Sequence, residues 1–573
     1  MCGIFAIINA IENSHISYSK LNDCFIKGKP RGPEFSILNT YKNLHIGFHR
    51  LAINGLNTES NQPFDINNII LVCNGEIYNF KQLALDNSIT LTTESDCEII
   101  IHLYQKYGIE YTLSILDGVF AFILYDRNIN KVIIGRDPYG VRPLYYFSEN
   151  NIISFASELK VLYPLCLMKK NIKYFTPGSY MIIDNNQSTF KSLFNKIYTS
   201  FPCSNIKYNI NSSLYYKIVD NLHHAVEKRI AGTCERPIGC LLSGGLDSSL
   251  IAALVNKFYK SNQPLETFSI GLPGSEDLKY AAIVAKHLGT KHHEILLTAD
   301  QFFDAIPYVI KTIESYDTTT IRASVGNYLV GKYIKENTNC KVIFNGDGAD
   351  ELMGGYLYFK MAPNEYEFDK ECKRLLQDIH MFDVLRSDRC ISSHGLEPRT
   401  PFLDKKWVEF YLTIDRKLRF NTNKDKCEKY LLRKSFHELA IELLPNEILW
   451  RTKEAFSDGV SSLNKSWFQI INEKINNLTT NDSTLHYKLI YLINIYNKFP
   501  ISNNKPTTLE QAYYRCIYNK YYQATDHLIE YYWMPKYIKA NDASARTLKI
   551  YNTNNTNNTN NTNNTNNTNN INK

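Results

Sequence analysis

The chain has 573 residues, of which 44% are hydrophobic, and a formal net charge of +7. This length predicts about two to four domains with sizeable cores. A charge this mild, with no block of five or more like charges, excludes a nucleic-acid arm and a polybasic membrane patch. Charged residues interrupt every apolar run before it reaches the ~18 residues of a membrane helix, and the N-terminus lacks the basic region of a secretory signal.

Thirteen cysteines are scattered along the chain, and none of them forms a C-x-x-C pair. An odd number without paired spacing argues against a zinc site and against a disulfide framework. Reduced thiols are typical of the cytosol. The cysteines therefore predict a cytoplasmic protein, in which most thiols are small core side chains.

The N-terminal 185 residues contain short apolar or alternating runs separated by turns, such as GIFAII, GVFAFILYD and KVIIGRD. Apart from CEIIIHLYQKYG, few stretches have helical periodicity. This pattern predicts an antiparallel, sheet-rich domain with some helix at residues 2–185. The polar stretch at 186–213 has weak periodicity and is predicted to be a linker.

From residue 214 the pattern changes to strands that alternate with helices. PIGCLLS is a buried strand, GGLDSS a turn and LIAALVNKF a helix, and further pairs of this kind follow. Alternation predicts a parallel, doubly wound sheet, with mostly helical chain beyond ~380, in a domain at 214–540. The Asn/Thr-rich repeat at 541–573 cannot bury a core and is predicted to be a disordered, solvated tail.

Cys2 directly follows the initiator methionine. If that methionine is removed, the thiol lies beside a free α-amine whose pKa of ~7.7–8.0 suits a base at neutral pH. A side-chain nucleophile that uses its own terminal amine is a known form of covalent catalysis. The alternative is that Cys2 is only a small residue at the start of a strand.

Three further sites in the first domain carry polar chemistry. Arg50 follows the segment GFH and could clamp a carboxylate with two hydrogen bonds. Asn74 and Gly75, in VCNGEIYN, could form an oxyanion hole, and Asp96, in TTESDCE, could hold an amino group. Taken singly, each has an ordinary alternative: a surface charge, a hairpin turn and a residue at a helix N-cap.

The segment LLSGGLDSSL joins a predicted strand to a predicted helix. Its glycines and its hydroxyls, from Ser243, Ser248 and Ser249, suit an anion at a helix N-terminus. No lysine follows, so it is not a Walker A loop. Its aspartate, Asp247, and Asp350 of FNGDGADELMGGY are two carboxylates of the kind that Mg²⁺ prefers. The alternatives are a plain glycine-rich turn and a solvated acidic turn.

Three other charged segments lie further along the chain. ILWRTKEAFSDGV carries Lys453, which could neutralise charge on a departing anion, although a lone lysine is usually a surface residue. Charged clusters also occur in YDTTTIRAS and HGLEPRTPFLD. They contain Asp317, Arg322, Glu397 and Arg399.

The motifs M-C-G-I, H-R-L, N-G-E-I-Y-N and E-S-D stand in the order found in the glutaminase domain of class II glutamine amidotransferases, which residues 2–185 resemble. The resemblance implies an αββα fold of the N-terminal nucleophile (Ntn) type, in which Cys2 attacks the side-chain amide of glutamine. It also implies that Asn74 and Gly75 stabilise the oxyanion. The implied glutamine-binding residues are Arg50, Leu51, Ala52, Ile53, Asn54, Asn74, Gly75, Glu76 and Asp96.

SGGLDSS resembles the pyrophosphate loop of ATP pyrophosphatases. Together with SIGLPGSEDLKYA, YDTTTIRAS, GDGADE, HGLEPRTPFLD and RTKEAFSDG, it makes residues 215–465 resemble the asparagine synthetase family. The family implies a parallel-sheet domain with Mg²⁺ held by Asp247 and Asp350, and catalytic roles for Asp347 and Lys453. The implied ATP-binding residues are Leu241, Ser243, Gly244, Gly245, Asp247, Ser248, Ile270, Asn345 and Gly346.

One loop departs from the usual S-G-E-G-S-D-E pattern of that family, since this chain has Asn345, Asp347 and Ala349 at three of its positions. The shorter Asp347 moves its carboxylate by about one C–C bond, and misplacement by ~1 Å can cost ~100-fold in rate. We interpret the change as variation and not as inactivation. Pro398 and Thr400 also replace apolar residues, and we assign them no functional weight.

The two resemblances together imply ATP-dependent synthesis of asparagine from aspartate and glutamine through a β-aspartyl-AMP intermediate, with ammonia passing along an internal channel. The small-molecule partners would be glutamine, aspartate and ATP, with no nucleic acid and no membrane. The oligomeric state is left open, with a homodimer as one candidate. One alternative is a β-lactam synthetase-like ligase, or another amidotransferase ligase, that adenylates a different carboxylate. A non-enzymatic binding role is the other alternative.

Overall fold

The computed structural model describes residues 2–9, 16–186, 195–203, 212–232, 234–420, 427–498 and 504–548. The strands of the N-terminal part are β1 (Gly3–Ile8), β2 (Phe35–Tyr41), β3 (Leu44–Arg50), β4 (Phe64–Ile66), β5 (Ile69–Ile77), β6 (Gly118–Asp126), β7 (Lys131–Arg136), β8 (Tyr145–Glu149), β9 (Ile152–Ala156), β10 (Lys173–Tyr174), β11 (Ser179–Asp184) and β12 (Lys196–Ile197). Its helices are α1 (Tyr18–Ile26), α2 (Phe80–Asp86), α3 (Ile99–Tyr107), α4 (Ile109–Ile115) and α5 (Leu159–Leu162).

Two antiparallel sheets pack face to face in this part of the molecule. The first has the order β10-β8-β9-β1-β3-β2 and the second β12-β11-β7-β6-β5-β4. Apolar side chains of β1, β3, β5 and β6 fill the space between them. Helices α1 and α5 pack on the outer face of the first sheet, and α2, α3 and α4 pack on the second. The predicted antiparallel αββα architecture is confirmed.

Strand β1 shows why the sequence GIFAII belongs at the centre of a layered structure. All six of its residues are buried, because β9 and β3 flank it, the second sheet covers one face and helices cover the other. A continuous apolar run is typical of a strand buried on both faces. Cys2 immediately precedes this strand, so its position is fixed by the core.

The strands of the C-terminal part are β13 (Ile238–Leu241), β14 (Glu266–Gly271), β15 (Lys291–Leu296), β16 (Val342–Phe344) and β17 (Glu397–Arg399). Its helices are α6 (Ser212–Glu227), α7 (Leu246–Phe258), α8 (Glu276–Leu288), α9 (Ala299–Ile313), α10 (Thr318–Asn337), α11 (Ala349–Met353), α12 (Glu365–Asp378), α13 (Asp383–Ser392), α14 (Lys405–Thr413), α15 (Arg416–Arg419), α16 (Tyr430–Leu439), α17 (Asn446–Leu449), α18 (Phe456–Gly459), α19 (Trp467–Asn481), α20 (Ser483–Lys498) and α21 (Leu509–Tyr522).

The C-terminal sheet has the order β15-β14-β13-β16-β17, and all its described pairs are parallel. The predicted parallel sheet is therefore confirmed. Strands β13 and β16 are neighbours at its centre, and each leads at its carboxyl end into a glycine-rich loop, 242–245 and 345–348 respectively. The carboxyl ends of parallel strands meet at one edge of a sheet, where ligands of α/β proteins bind.

Two predicted boundaries need adjustment. Within the predicted linker, β12 pairs with β11 and extends the second N-terminal sheet, and α6 begins at Ser212. The predicted disordered tail begins too early at 541, because Ser544 and Leu548 are buried against the C-terminal part. Short polar segments such as 541–548 carry no periodicity, so the sequence pattern did not separate them from the repeat. The repeat at 549–573 lies outside the described residues.

Candidate active sites

Cys2 lies at the junction of three elements. Its thiol Sγ is 3.8 Å from the carbonyl of Leu51, and its backbone N–H donates to Oδ1 of Asn74 at 3.0 Å. Its own carbonyl accepts a hydrogen bond from Nε of Arg31 at 3.0 Å. Burial raises the pKa of the thiol. A nearby base is therefore needed to form the thiolate that attacks a carbonyl.

Asn74 and Gly75 lie beside Cys2, within strand β5 and not at a hairpin turn. The Nδ2 group of Asn74 is buried and has no hydrogen-bond partner among the described residues. An unpaired buried donor is costly unless a ligand satisfies it. Gly75 is required by close packing, because a Cβ there would lie 2.5 Å from the carbonyl oxygen of Val119. Donors in this arrangement can stabilise the oxyanion of an acyl transfer.

Two charged residues frame this site. Arg50 ends β3, and its guanidinium donates to the carbonyls of Asn57 and Gly55 and, at 2.6 Å, to Oδ1 of Asn61. Asp96 accepts a hydrogen bond from the N–H of Ile77 at 2.6 Å. Burial raises the pKa of Asp96 to about 6, although the Ile77 N–H acts in the opposite direction.

The predicted segment 51–54 directly follows β3, and much of its backbone is already bonded. The N–H of Ala52 donates to Glu34 at 2.8 Å, and its carbonyl accepts from Arg236 at 2.9 Å. The carbonyl of Ile53 accepts from the N–H of Glu235, and the side chain of Asn54 donates to the carbonyl of Glu94 at 3.3 Å. The carbonyl of Leu51 is the member of the segment that contacts the thiol.

Glu76 is buried where the two parts of the chain meet. One of its carboxylate oxygens lies 3.6 Å from the Arg399 guanidinium of β17. Burial and the neighbouring carboxylates of Glu397 and Asp96 raise the pKa of Glu76 well above its usual value. Burial acts in the same sense on Glu397, but the positive charge of the N-terminus, followed by Arg399 and Arg142, holds its pKa down at about 2.

The second site is a cavity of about 200 Å³ at the carboxyl edge of the parallel sheet. All but one of the predicted ATP-binding residues line it, together with Asp347, Asp350 and Lys453. The lining residues from that prediction are Leu241, Ser243, Gly245, Asp247, Ser248, Ile270, Asn345 and Gly346. The exception is Gly244, which packs against α8: its φ is +70°, and a Cβ there would lie 2.4 Å from the N atom of Ala281.

The serines of the glycine-rich loop divide into two groups. The hydroxyls of Ser243 and Ser248 lie 3.0 Å apart at the N-terminus of α7. Ser249, which the sequence grouped with them, is fully buried, and its hydroxyl has no hydrogen-bond partner among the described residues. The first two hydroxyls and the start of this 13-residue helix form an anion-binding edge of the cavity.

Four charged side chains form the floor of the cavity. Lys429 Nζ lies 2.6 Å from both carboxylate oxygens of Asp247 and 2.5 Å from Asp350. Lys453 Nζ lies 2.6 Å from the other oxygen of Asp350. Burial would raise the pKa of Asp350, but the two lysines lower it instead, and Asp350 and Asp247 raise that of Lys453 against its burial.

Sequence reasoning missed Lys429. It lies 182 residues from Asp247, in a stretch that resembles no nucleotide-binding motif. Its backbone φ of +54° is uncommon for a residue other than glycine and costs roughly 1–2 kcal/mol. Strain of this kind is found at functional sites. The side chain occupies the centre of the acidic pair, and only tertiary structure reveals this.

Helix α13 contacts both sites. Arg386 donates to Asp347 at 2.9 Å, and Ser387 accepts from the side chain of Asn345 at 2.6 Å. The next residue, Asp388, accepts from the Arg31 guanidinium at 2.7 and 3.1 Å, and Arg31 is the residue that holds the carbonyl of Cys2. Sequence reasoning missed these residues of α13. The only local sign of their role was the charged segment RSDR within a buried helix.

The two residues flagged in YDTTTIRAS have separate positions. Asp317 caps α10 and accepts from the N–H of Thr320 at 2.8 Å. Arg322 forms buried ion pairs with Glu510 at 2.6 Å and Asp542 at 2.7 Å. These contacts join the start of α10 to the C-terminal segment.

Two general features complete the description. All thirteen cysteines are free thiols. Within the described part of the chain, no helix combines the length and the apolar character needed to cross a bilayer. Nor do those residues contain a group of three or more His, Cys, Asp or Glu side chains placed to hold a metal ion.

Comparison with known families divides the chain into two parts. Residues 1–216 match a family model described as glutamine amidotransferase domain. Residues 217–367 and 360–493 match a model described as asparagine synthase. The residues after 493 lie outside both matches.

Similar proteins match over nearly the full length of the chain. A Gallus gallus protein named asparagine synthetase [glutamine-hydrolyzing] is 41% identical over 579 residues, which cover 96% of this chain and 99% of the relative. A Homo sapiens protein of the same name is 40% identical, with the same coverage. A solved structure of glutamine phosphoribosylpyrophosphate amidotransferase from B. subtilis is 18% identical and covers 52% of this chain and 81% of its own, at a TM-score of 0.29.

Proposed function

This chain belongs to the glutamine-hydrolysing asparagine synthetases, and we propose that it makes asparagine from aspartate, with glutamine as the nitrogen donor and ATP as the energy source. Glutamate, AMP and pyrophosphate are the other products. Two groups of residues support the proposal, one around Cys2 and one at the edge of the parallel sheet.

The first half-reaction takes place at Cys2. Removal of the initiator methionine frees its α-amine, which accepts the thiol proton, and Sγ attacks the amide carbon of glutamine. The unpaired Nδ2 of Asn74 and the N–H of Gly75 stabilise the oxyanion. Ammonia leaves, and water then releases glutamate from the thioester.

Arg50 and Asp96 hold the two charged ends of glutamine. The loop carbonyls around Arg50 fix its guanidinium so that it can clamp the α-carboxylate, and ionised Asp96 accepts from the α-ammonium group. The remaining proposed contacts are Glu76 and the segment Leu51, Ala52, Ile53 and Asn54.

The second half-reaction activates aspartate, because an ionised carboxylate is a poor electrophile. Its β-carboxylate attacks the α-phosphorus of ATP and pyrophosphate leaves; ammonia then attacks the acyl carbon and AMP leaves. Lys429 and Lys453 lie where they can neutralise the departing pyrophosphate. Asp347, held by Arg386, lies at the position proposed for formation of the intermediate.

The acidic pair fits Mg²⁺. Asp247 and Asp350 already share one cation, Lys429 Nζ, at 2.6 and 2.5 Å. Mg²⁺ is held by one or two carboxylates with phosphate oxygens and water, so no third protein ligand is required. With nucleotide bound, these two residues would hold the ion, which supplies charge neutralisation on the pyrophosphate oxygens.

The observation that carries the proposal is the position of β17 between the two sites. The side chain of Arg399 lies 3.6 Å from Glu76 in the glutamine site. The carbonyl of the same residue accepts a hydrogen bond, at 3.0 Å, from the N–H of Asn345. Asn345 belongs to the glycine-rich loop 345–348, which we call the ATP loop. A single strand therefore contacts both sites, which suits the transfer of ammonia from one to the other without release into water.

Some finer features of the proposal rest on the sequence alone. We infer a cytoplasmic location, because thirteen free thiols suit a reducing compartment. The small-molecule partners are glutamine, aspartate and ATP. The mild net charge of +7 favours no nucleic-acid partner, and a homodimer stays an open possibility for the assembly.

Product identification tests the choice of carboxylate. Purified protein is supplied with Mg-ATP, ammonium chloride and either aspartate or a panel of other carboxylic acids, and AMP and the amide product are followed by mass spectrometry. We expect AMP and asparagine in equal amounts with aspartate, and neither amide nor AMP above background with the other acids. AMP formation that depends on another acid would replace asparagine synthesis with the activity of a different ligase.

A further inference from the structure

The last described segment, residues 542–548, covers one side of the ATP cavity. We call it the C-terminal strap. Ala543, Ala545 and Leu548 line the cavity, and Ser544 and Leu548 are buried. The strap lies beyond the family-model match, which ends at residue 493. Its composition, DASARTL, would not predict a role in catalysis.

Three polar contacts hold the strap in place. Asp542 pairs with Arg322 of α10 at 2.7 and 2.9 Å. The Ser544 hydroxyl and the Ala545 N–H donate to the two oxygens of Asp458, at 2.7 and 3.1 Å. All three contacts reach elements that border the cavity, and the buried Asp458 belongs to α18.

Arg546 forms the contact closest to the chemistry. Its Nε donates to the Glu454 carboxylate at 2.8 Å, and its Nη1 donates to the carbonyl of Ser462 at 2.7 Å. Glu454 and Arg546 side chains are both about nine-tenths buried. Charge-assisted, multidentate hydrogen bonds of this kind have a defined geometry as well as energy.

Glu454 follows Lys453 directly, and residues 451–455 belong to no helix or strand. The loop therefore depends on side-chain contacts for its conformation. Arg451 lies 3.6 Å from Glu454 and 3.0 Å from Asp277, which ties the loop to α8. Arg546 ties the same Glu454 carboxylate to the strap. The residue next to Lys453 is thus held by two arginines.

We propose that the C-terminal strap is a positioning element of the adenylation site, in which Arg546 acts through Glu454 to place Lys453. The proposal rests on the proposed function, since it assigns Lys453 to the departing pyrophosphate. A shift of ~1 Å in a catalytic group can cost ~100-fold in rate. Arg546 contacts the loop and not the ligand, so its effect should fall on turnover more than on substrate binding.

The test compares Arg546→Met and Arg546→Lys with the wild-type protein and with Asn541→Ala, an exposed neighbour of the strap. AMP formation is measured with Mg-ATP, aspartate and ammonium, and glutaminase activity is measured without ATP. For Arg546→Met we expect kcat for AMP formation to fall about 10- to 100-fold, with KM for ATP and aspartate changed by less than about threefold. We expect Arg546→Lys to recover part of the loss, and Asn541→Ala to match the wild type.

Glutaminase activity controls for misfolding, and a double variant tests the route. We expect Arg546→Met to keep wild-type glutamate formation, and Arg546→Met combined with Glu454→Gln to be no slower than the slower single variant. Three results would each overturn the proposal. They are wild-type AMP formation by Arg546→Met, an equal loss of AMP formation and glutaminase activity in that variant, and a rate loss in the double variant equal to the product of the two single losses. If the wild-type protein itself forms no AMP, the proposed function is wrong, and the role of the strap is rejected with it.

Discussion

The two sites of this molecule are built by different means. Around Cys2, strand ends and backbone groups set the geometry: the Leu51 carbonyl, the β5 residues Asn74 and Gly75, and the Ile77 N–H on Asp96. At the ATP cavity, ion pairs between distant elements set it, with Lys429 and Lys453 on Asp247 and Asp350. The first arrangement suits orientation of a neutral amide, and the second suits neutralisation of a polyanion.

The comparison predicts that the two sites can be inactivated separately, and Cys2 gives the largest effect. Cys2→Ala removes the nucleophile, so glutamine-dependent asparagine formation should fall by at least about 10³-fold. Ammonia-dependent formation should stay within about threefold of the wild type, because the ATP cavity is unchanged. Cys203→Ala, at an exposed cysteine, is the matched control. Loss of both activities in Cys2→Ala would show that the sites are not separable.

Lys429 tests the converse case, in which the ATP cavity is inactivated and the site around Cys2 stays active. Lys429→Met keeps the length of the side chain but leaves Asp247 and Asp350 with less positive charge. AMP formation should fall about 10²- to 10³-fold, while glutamate formation from glutamine is preserved. Lys434→Met, at a partly exposed lysine of α16, should match the wild type in both assays. Unchanged AMP formation in Lys429→Met would remove this lysine from the proposed mechanism.

A titration at Asp96 sharpens the contrast, since burial of its carboxyl group and not an ion pair raises its pKa to about 6. The ionised form binds the α-ammonium group of glutamine, so binding is lost as pH falls through 6. From pH 7 to pH 5 the ionised fraction falls about tenfold. We expect KM for glutamine to rise about tenfold over this range, while protonation of the Cys2 α-amine, whose pKa is ~7.7–8.0, lowers kcat separately.

The exposed Asp65 provides the control for that profile, because its carboxylate lies on the surface and pairs with Arg127. Asp65→Asn should show the same rise in KM as the wild type. A KM for glutamine that is equal at pH 7 and pH 5 in the wild-type protein would contradict the role given to Asp96.

The smallest effect is expected away from both sites. Thr298 caps α9, where its hydroxyl accepts the N–H of Gln301 at 3.2 Å and the Gln301 side chain accepts the Thr298 N–H at 2.8 Å. Thr298→Ala should destabilise the fold by about 1 kcal/mol, seen as a lower thermal midpoint, with both activities unchanged at 25 °C. A selective loss of one activity would show that α9 contributes to that site.

The comparison also explains how much could be predicted from the sequence. Short strands separated by turns predicted the antiparallel sheets, and strands alternating with helices predicted the parallel sheet. Asn74, Gly75 and Asp247 stand in short motifs, since a single strand carries the first two and the start of a single helix carries the third. Lys429 and Arg546 are brought in by tertiary contacts over long sequence separations, so no local pattern marks them.

Helix α13 illustrates the same limit. Its residues 386–388 contact the ATP loop and, through Arg31, the carbonyl of Cys2. The sequence offered only charges in a buried helix, and the partner of Asp388 lies 357 residues away. The segment at 541–548 was assigned to the tail for a related reason: its anchors are single polar contacts without periodicity.

Transfer of nitrogen within one molecule is the central claim, and a competition experiment tests it most directly. The protein is incubated with Mg-ATP, aspartate and amide-¹⁵N glutamine in the presence of a large excess of unlabelled ammonium, and asparagine, AMP and pyrophosphate are measured together. We expect asparagine to form in step with AMP and to carry mostly ¹⁵N. Asparagine labelled only in proportion to the free ammonium pool, or glutamate formed without AMP, would contradict the account of two linked sites.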